Sequence, residues 1–190
     1  MLTVKHINAQ IVLGILDLDL FQSQNPGLNK RALEKSGSLY ALQQITQNQH
    51  SLIGYTEAGK PFLANSHAHI SISHSHARLT LMLNHQQNCG IDIELIRDKV
   101  LQIKHKFLNP NEATVAGNNT EHLIRYWAAK ETLYKLHGLK GLDFIENLKV
   151  EDFEDNKIIG KITKQHYNKS FLLQWEKLAN YIVVYSLHEI

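Results

Sequence analysis

Residues 120–138 read TEHLIRYWAAKETLYKLHG, and this stretch decides the fold class. Thr120 reads as an N-cap, Glu121 to His137 as one long helix, and Gly138 as its stop. Downstream, strand candidates near 147–153, 157–163, 170–176 and 181–187 follow one another as a β-meander. Upstream, 97–190 opens with a helical pattern over Val100–Leu108, stopped at Asn109-Pro110, and a short helix beginning at Asn111-Glu112.

The first half repeats the theme of one main helix among strands. Ile11–Leu16 reads as a strand, and 21–30 as a polar connection with Asn25-Pro26-Gly27 as its turn. A helix runs from about Leu28 to Gln47, with Leu28, Leu39, Leu42 and Ile45 facing a core and Gly37 weakening it. Short strands at 51–56 and 62–64 flank Gly59-Lys60-Pro61, and 69–73, 79–83 and 89–95 read as further strands. The class is α+β, divided into 1–96 and 97–190, each half packing a helix on a small, mainly antiparallel sheet.

Composition narrows the function. The chain has 190 residues with 43% hydrophobic and 20% charged side chains, which supports packed cores rather than disorder. A net charge of +2 gives no reason to expect nucleic acid as partner. One cysteine, Cys89, excludes an internal disulfide and suits a reducing cytoplasm. The N-terminal stretch carries Asp17 and Asp19 after its apolar run and reads as a strand rather than a signal peptide. No apolar run reaches a membrane span of about 20 residues. His67, His69, His74 and His76 cluster, yet no C-x-x-C or H-E-x-x-H accompanies them, so a zinc site is poorly supported.

Three constellations carry chemistry. In Gly90-Ile91-Asp92-Ile93-Glu94, alternation along a strand places Asp92 and Glu94 on one face, a hard-oxygen pair suited to a divalent cation. In Trp127-Ala128-Ala129-Lys130-Glu131-Thr132-Leu133-Tyr134-Lys135, Trp127, Glu131 and Lys135 form one helical stripe beside Ile124 and Ala128. Gly59-Lys60-Pro61 and Ser73-His74-Ser75 offer an ammonium, hydroxyls, an imidazole and backbone amides for a phosphate. Taken singly, each fragment has a plainer reading: a solvated strand face, a surface Glu–Lys pair, a polar turn.

The ordered set says more. G-K-P, S-H-S, G-I-D-I-E, K-F-L-x-x-x-E (Lys106 to Glu112), W-A-A-K-E-x-x-x-K and the pair Gly138, Gly141 follow in that order over residues 59–141. This series resembles the 4'-phosphopantetheinyl transferase family. The chain is about twice as long as the trimeric single-lobe holo-acyl-carrier-protein synthases, and is similar to the two-lobed, monomeric, surfactin-synthetase-activating type, with its site between pseudo-symmetric lobes.

The resemblance implies a reaction. Phosphopantetheine passes from coenzyme A to a serine of an apo acyl or peptidyl carrier protein, and adenosine 3',5'-bisphosphate leaves. Asp92, Glu94 and Glu131 are implied to bind Mg2+, Lys135 to touch the diphosphate, and Glu131 to be the base, with Glu112 or a metal-bound water as alternatives. Lys60 and Pro61 line the nucleotide pocket, Ser73 adds a hydrogen bond, and His74 contacts the 3'-phosphate. The arginine the family often places in the first helix is replaced by one of Lys30, Arg31 or Lys35. A basic rim of Lys99, Lys104, Lys106 and Arg125 suits an acidic carrier helix. Two other readings compete: a non-catalytic coenzyme A or nucleotide-binding module of the same fold, and a histidine-rich transition-metal binder.

Overall fold

Strand β1 (Leu2–His6) pairs antiparallel with β2 (Ile11–Asp17), and Asp17 then caps a short helix, α1 (Leu18–Gln24), by accepting a hydrogen bond from the Leu20 amide at 3.0 Å. This computed structural model describes residues 1–152 and 154–190. It divides into two compact units, Met1–Ile91 and Asp92–Ile190.

In the first unit, α2 (Lys30–Thr46) packs on a sheet of β1, β2, β5 (His69–Ser75) and β6 (Arg78–Asn84), ordered β1-β2-β6-β5 and antiparallel throughout. Leu16, Leu33, Ala41, Leu42, Leu79 and Leu81 form the heart of its core. A separate hairpin pairs β3 (Ile53–Tyr55) with β4 (Pro61–Leu63).

Two readings of this unit change. The polar connection at 21–30 is helical as far as Gln24, because Leu18 and Phe21 bury one face and Asp17 supplies the cap. Gly37 weakens the helix less than it permits contact: a Cβ there would stand 3.0 Å from Leu16 Cδ2 and 3.2 Å from Leu18 Cδ2. The missing side chain lets α2 settle onto the strand beneath it.

In the second unit, β7 (Ile91–Leu95), which begins at the division, edges a sheet with β8 (Leu148–Asp152), β9 (Lys157–Lys164), β10 (Tyr167–Leu178) and β11 (Tyr181–Glu189). The order is β7-β11-β10-β9-β8, the meander expected from the sequence. Phe153, the last residue of the first strand candidate, lies outside the described residues. Helix α5 (Thr120–His137) packs on this sheet through Leu123, Ala129, Leu133 and Leu136. A Cβ at Gly160 would lie 2.7 Å from Leu133, so glycine again marks where helix meets strand.

The ends of α5 show a small correction. Its cap is Asn119, whose side chain accepts from the His122 amide at 3.0 Å, one residue before the expected Thr120. Gly138 ends it with φ of 72°, as expected. The helix expected over 100–108 is shorter: α3 (Lys99–Ile103) tightens into a 3₁₀ turn at Lys104–Lys106. α4 (Pro110–Ala116) starts with a capping box between Asn109 and Glu112. Among the described residues the fold is α+β, with helices laid against antiparallel sheets. No described helix is long and apolar enough to cross a membrane.

Candidate active site

The site in the second unit arises where the stripe of α5 crosses β7. Trp127, Glu131 and Lys135 recur every four residues, so they share a helix face. Asp92 and Glu94 share a strand face, while Ile91 and Ile93 are buried on the other. The two faces interlock: Trp127 Nε1 donates to Glu94 Oε1 at 3.0 Å, and Lys135 Nζ donates to Asp92 Oδ1 at 2.7 Å. Glu131 lies between those bonds on the helix.

Electrostatics makes Glu131 the exceptional group. Burial pushes its carboxyl up to about 7, the Asp92 charge adds to the rise, Lys135 opposes it, and Glu94 raises it further. Asp92 is itself 3% exposed. Three carboxylates thus stand in one another's field, two of them substantially buried. In the structure Lys135 provides the counter-charge. Among the described residues, no three His, Cys, Asp or Glu side chains are already gathered as a metal cluster.

Beside this cluster sits a second, closed one, centred on Lys130, which the sequence reading left without a role. Lys130 is fully buried, and its ammonium donates to Phe107 O at 2.6 Å, Glu112 Oε2 at 2.6 Å and Phe144 O at 2.7 Å. An ammonium has three protons, and all three are used. Glu112 is also saturated: Oε2 accepts from the Asn109 amide at 2.9 Å and Oε1 from the Val150 amide at 3.0 Å. It is 4% exposed. A carboxylate held by three donors inside the protein is an anchor, so the suggestion that Glu112 acts as base gives way.

The anchor reaches the first cluster through aromatic rings. Phe107 and Phe144, whose carbonyls hold Lys130, also enclose Trp127: Phe107 edge-on at 5.1 Å and Phe144 stacked at 5.4 Å between centroids. Lys130 thus fixes the two loops that fix Trp127, and Trp127 fixes Glu94. The signal for Lys130 was present in the sequence, since Tyr126, Ala129 and Leu133 surround it on the apolar side of the helix.

The basic rim suggested for a carrier is partly engaged. Lys104 donates to Gly117 O and Asn118 Oδ1. Arg125 donates to Asp152 Oδ2 at 2.8 Å and lies over the Trp175 ring. Lys99 and Lys106 are exposed.

The first unit holds the other residues singled out, in two places. Lys60 stands at the β3–β4 turn, where Nζ donates to Asn88 Oδ1 at 2.6 Å. Burial lowers the Lys60 pKa, and burial together with Lys60 lowers that of His69. Thr56, Lys60, Pro61, Phe62, His69 and Asn88 border a cavity of about 310 Å³. His74 lies elsewhere, with Nδ1 at 3.2 Å from Glu34 Oε1 on α2. Lys30 reaches the same carboxylate at 3.9 Å, whereas Arg31 and Lys35 are exposed on the next face of the helix. Ser73 is buried on the face of β5 opposite His74, because neighbours on a strand point opposite ways.

Residues 88–186, just over half of the chain, match the family model of the 4'-phosphopantetheinyl transferase superfamily. The chain belongs to that family. No curated protein matches it. The matched segment contains β7, α5 and the meander as far as Ser186, hence both clusters of the second unit. Phosphopantetheinyl transferases take coenzyme A as substrate and act on carrier proteins. Asp92, Glu94, Glu131 and Lys135 all lie within that segment.

Proposed function

We propose that this phosphopantetheinyl transferase is Mg2+-dependent and of the two-lobed, surfactin-synthetase-activating type, its two units being the two lobes. It moves 4'-phosphopantetheine from coenzyme A to a serine of an apo acyl or peptidyl carrier protein, as a monomer in the cytoplasm. The observation that carries this reading is the interlock of Trp127, Glu131 and Lys135 with Asp92 and Glu94, which leaves Glu131 with a carboxyl near 7.

Asp92, Glu94 and Glu131 would hold the Mg2+, which supplies neutralisation of the diphosphate charge when bound. The resemblance assigns the serine proton to Glu131; the rise of its carboxyl to about 7 belongs to the metal-free site, and a bound cation would favour the ionised carboxylate. The serine oxygen forms a bond to the β-phosphorus, and the bond from that phosphorus to the oxygen bridging the diphosphate breaks. Adenosine 3',5'-bisphosphate carries away the electron pair. Lys135, released from Asp92, balances the charge on that leaving group. Lys60, Pro61 and Ser73 serve the nucleotide end, and His74 with Lys30, Arg31 or Lys35 serves its 3'-phosphate.

Mass spectrometry of apo carrier proteins after incubation with the chain, coenzyme A and Mg2+ tests the reading. One phosphopantetheine should be added to a fatty-acid, polyketide or peptide-synthetase carrier. No addition to any of the three, while coenzyme A still binds, would leave the non-catalytic binding module.

A further inference from the structure

A cavity of about 770 Å³ opens in the second unit beside the start of α4, the loop before β8 and β8 itself. That volume suits a small ligand, since such pockets span about 300–1,000 Å³. Its wall joins the apolar Val115 and Ile145 to four carboxylates, Glu112, Glu146, Glu151 and Asp152, with Lys149 opposing them. Lys130 already matches Glu112, and Arg125 matches Asp152. Glu146 and Glu151 are exposed and have no ion pair among the described residues.

A buried group at the same wall points to a ligand. Tyr126 is 2% exposed and borders the cavity. Its hydroxyl feels the charges of Asp152, Arg125, Glu112 and Glu151, and all of these but Arg125 line the cavity, so the hydroxyl faces it. Among the described residues that hydroxyl has no hydrogen-bond partner. Buried phenols ordinarily have one, as Tyr185 does in donating to Glu176 at 2.7 Å.

The wall selects among cations. A metal ion needs its donors gathered, and no three acidic, histidine or cysteine side chains are gathered so among the described residues. The negative charge is instead spread along the cavity. An added peptide strand would need the outer edge of β8, but Glu112 Oε1 already takes the Val150 amide there at 3.0 Å. An ammonium on a hydrocarbon stem fits both the phenol oxygen and the apolar wall. It carries three donors, and Val115, 63% exposed, offers its stem a surface.

We propose that this cavity binds an aliphatic diamine or polyamine. One ammonium donates to Tyr126 Oη and to a carboxylate of β8, the methylene stem lies on Val115 and Ile145, and a second ammonium meets Glu146. Binding here is separate from transfer, so its failure would leave the transferase reading untouched.

Calorimetric titration of the full chain with spermidine tests this, with Mg2+ in excess to occupy other carboxylates. Spermidine should bind at one site with Kd below about 1 mM. Tyr126→Phe, which removes only the hydroxyl, should weaken binding about tenfold, and Glu146→Gln with Glu151→Gln by at least as much. No binding at about 1 mM spermidine overturns the proposal. So does wild-type affinity in either folded variant, which would mark the interaction as diffuse attraction elsewhere on the surface. If Tyr126→Phe fails to fold by thermal melt, the exposed Glu146 and Glu151 substitutions decide.

Discussion

Two glutamate–lysine clusters flank the same helix, and they are in opposite electrostatic states. Glu112 and Lys130 are both buried and both saturated: every ammonium proton has an acceptor, and both carboxylate oxygens have donors. Glu131 is pushed up to about 7, while the nearby Lys135 is bonded to Asp92. The residue types are the same and Lys130 adjoins Glu131 in the chain. The difference is satisfaction. A closed network gives up reactivity for position, and an open one keeps charge in reserve for a ligand.

If this contrast is right, Lys130→Ala should be the most destructive single change. It leaves Glu112 charged and buried, and breaking such a pair costs about 3–5 kcal/mol. Lys130→Met with Glu112→Gln should lose less than the sum of the single variants in denaturant titrations. Additive losses would show that the two residues are not one unit.

The open cluster should show itself through pH. In metal-free protein, Glu131 holds its proton up to about 7, whereas a free glutamate releases it near 4.5. Between those values the folded state binds more protons than the unfolded one, so this group's contribution to stability falls as pH rises. Above pH 7 the full penalty stands. Glu131→Gln should therefore be more stable than wild type at pH 8 without metal, by about 1–3 kcal/mol, and equal to it at pH 4. Mg2+ should narrow the gap by stabilising the wild-type carboxylate. Equal stabilities at pH 8 would mean that Glu131 is not under strain.

Two smaller effects sharpen the picture. Lys135 competes with any cation for Asp92, so Lys135→Ala should bind Mg2+ severalfold more tightly by calorimetry, even as transfer slows. Weaker Mg2+ binding would place Lys135 outside the cluster. Trp127→Phe keeps the ring between Phe107 and Phe144 but removes the N–H given to Glu94. It should cost about 1 kcal/mol or less in stability and lower transfer by about threefold to tenfold. A variant with wild-type transfer would make that hydrogen bond incidental.

Local pattern carried much of this structure. The meander strands alternate, α5 is bounded by cap residues at both ends, and the four-residue spacing of Trp127, Glu131 and Lys135 predicts their common face. What local pattern misses is pairing across long stretches of chain. Glu34 and His74 are 40 positions apart and meet only because α2 lies on the sheet that ends in β5. Lys130 reaches Phe107, Glu112 and Phe144 through loops whose course no periodicity encodes. Helix α1 hid in a polar segment because only Leu18 and Phe21 of its seven residues are buried. Ser73-His74-Ser75 reads as one polar turn in sequence, yet strand alternation sends its central residue to the opposite face.

The central claim is that the strained carboxylate, not the saturated one, is where transfer happens. Single-turnover transfer to an apo carrier, comparing wild type with Glu131→Gln at saturating coenzyme A and Mg2+, tests it directly. The account predicts a loss of roughly 100-fold to 1,000-fold or more in a variant that melts no lower than wild type. Transfer by Glu131→Gln at close to the wild-type rate would contradict it.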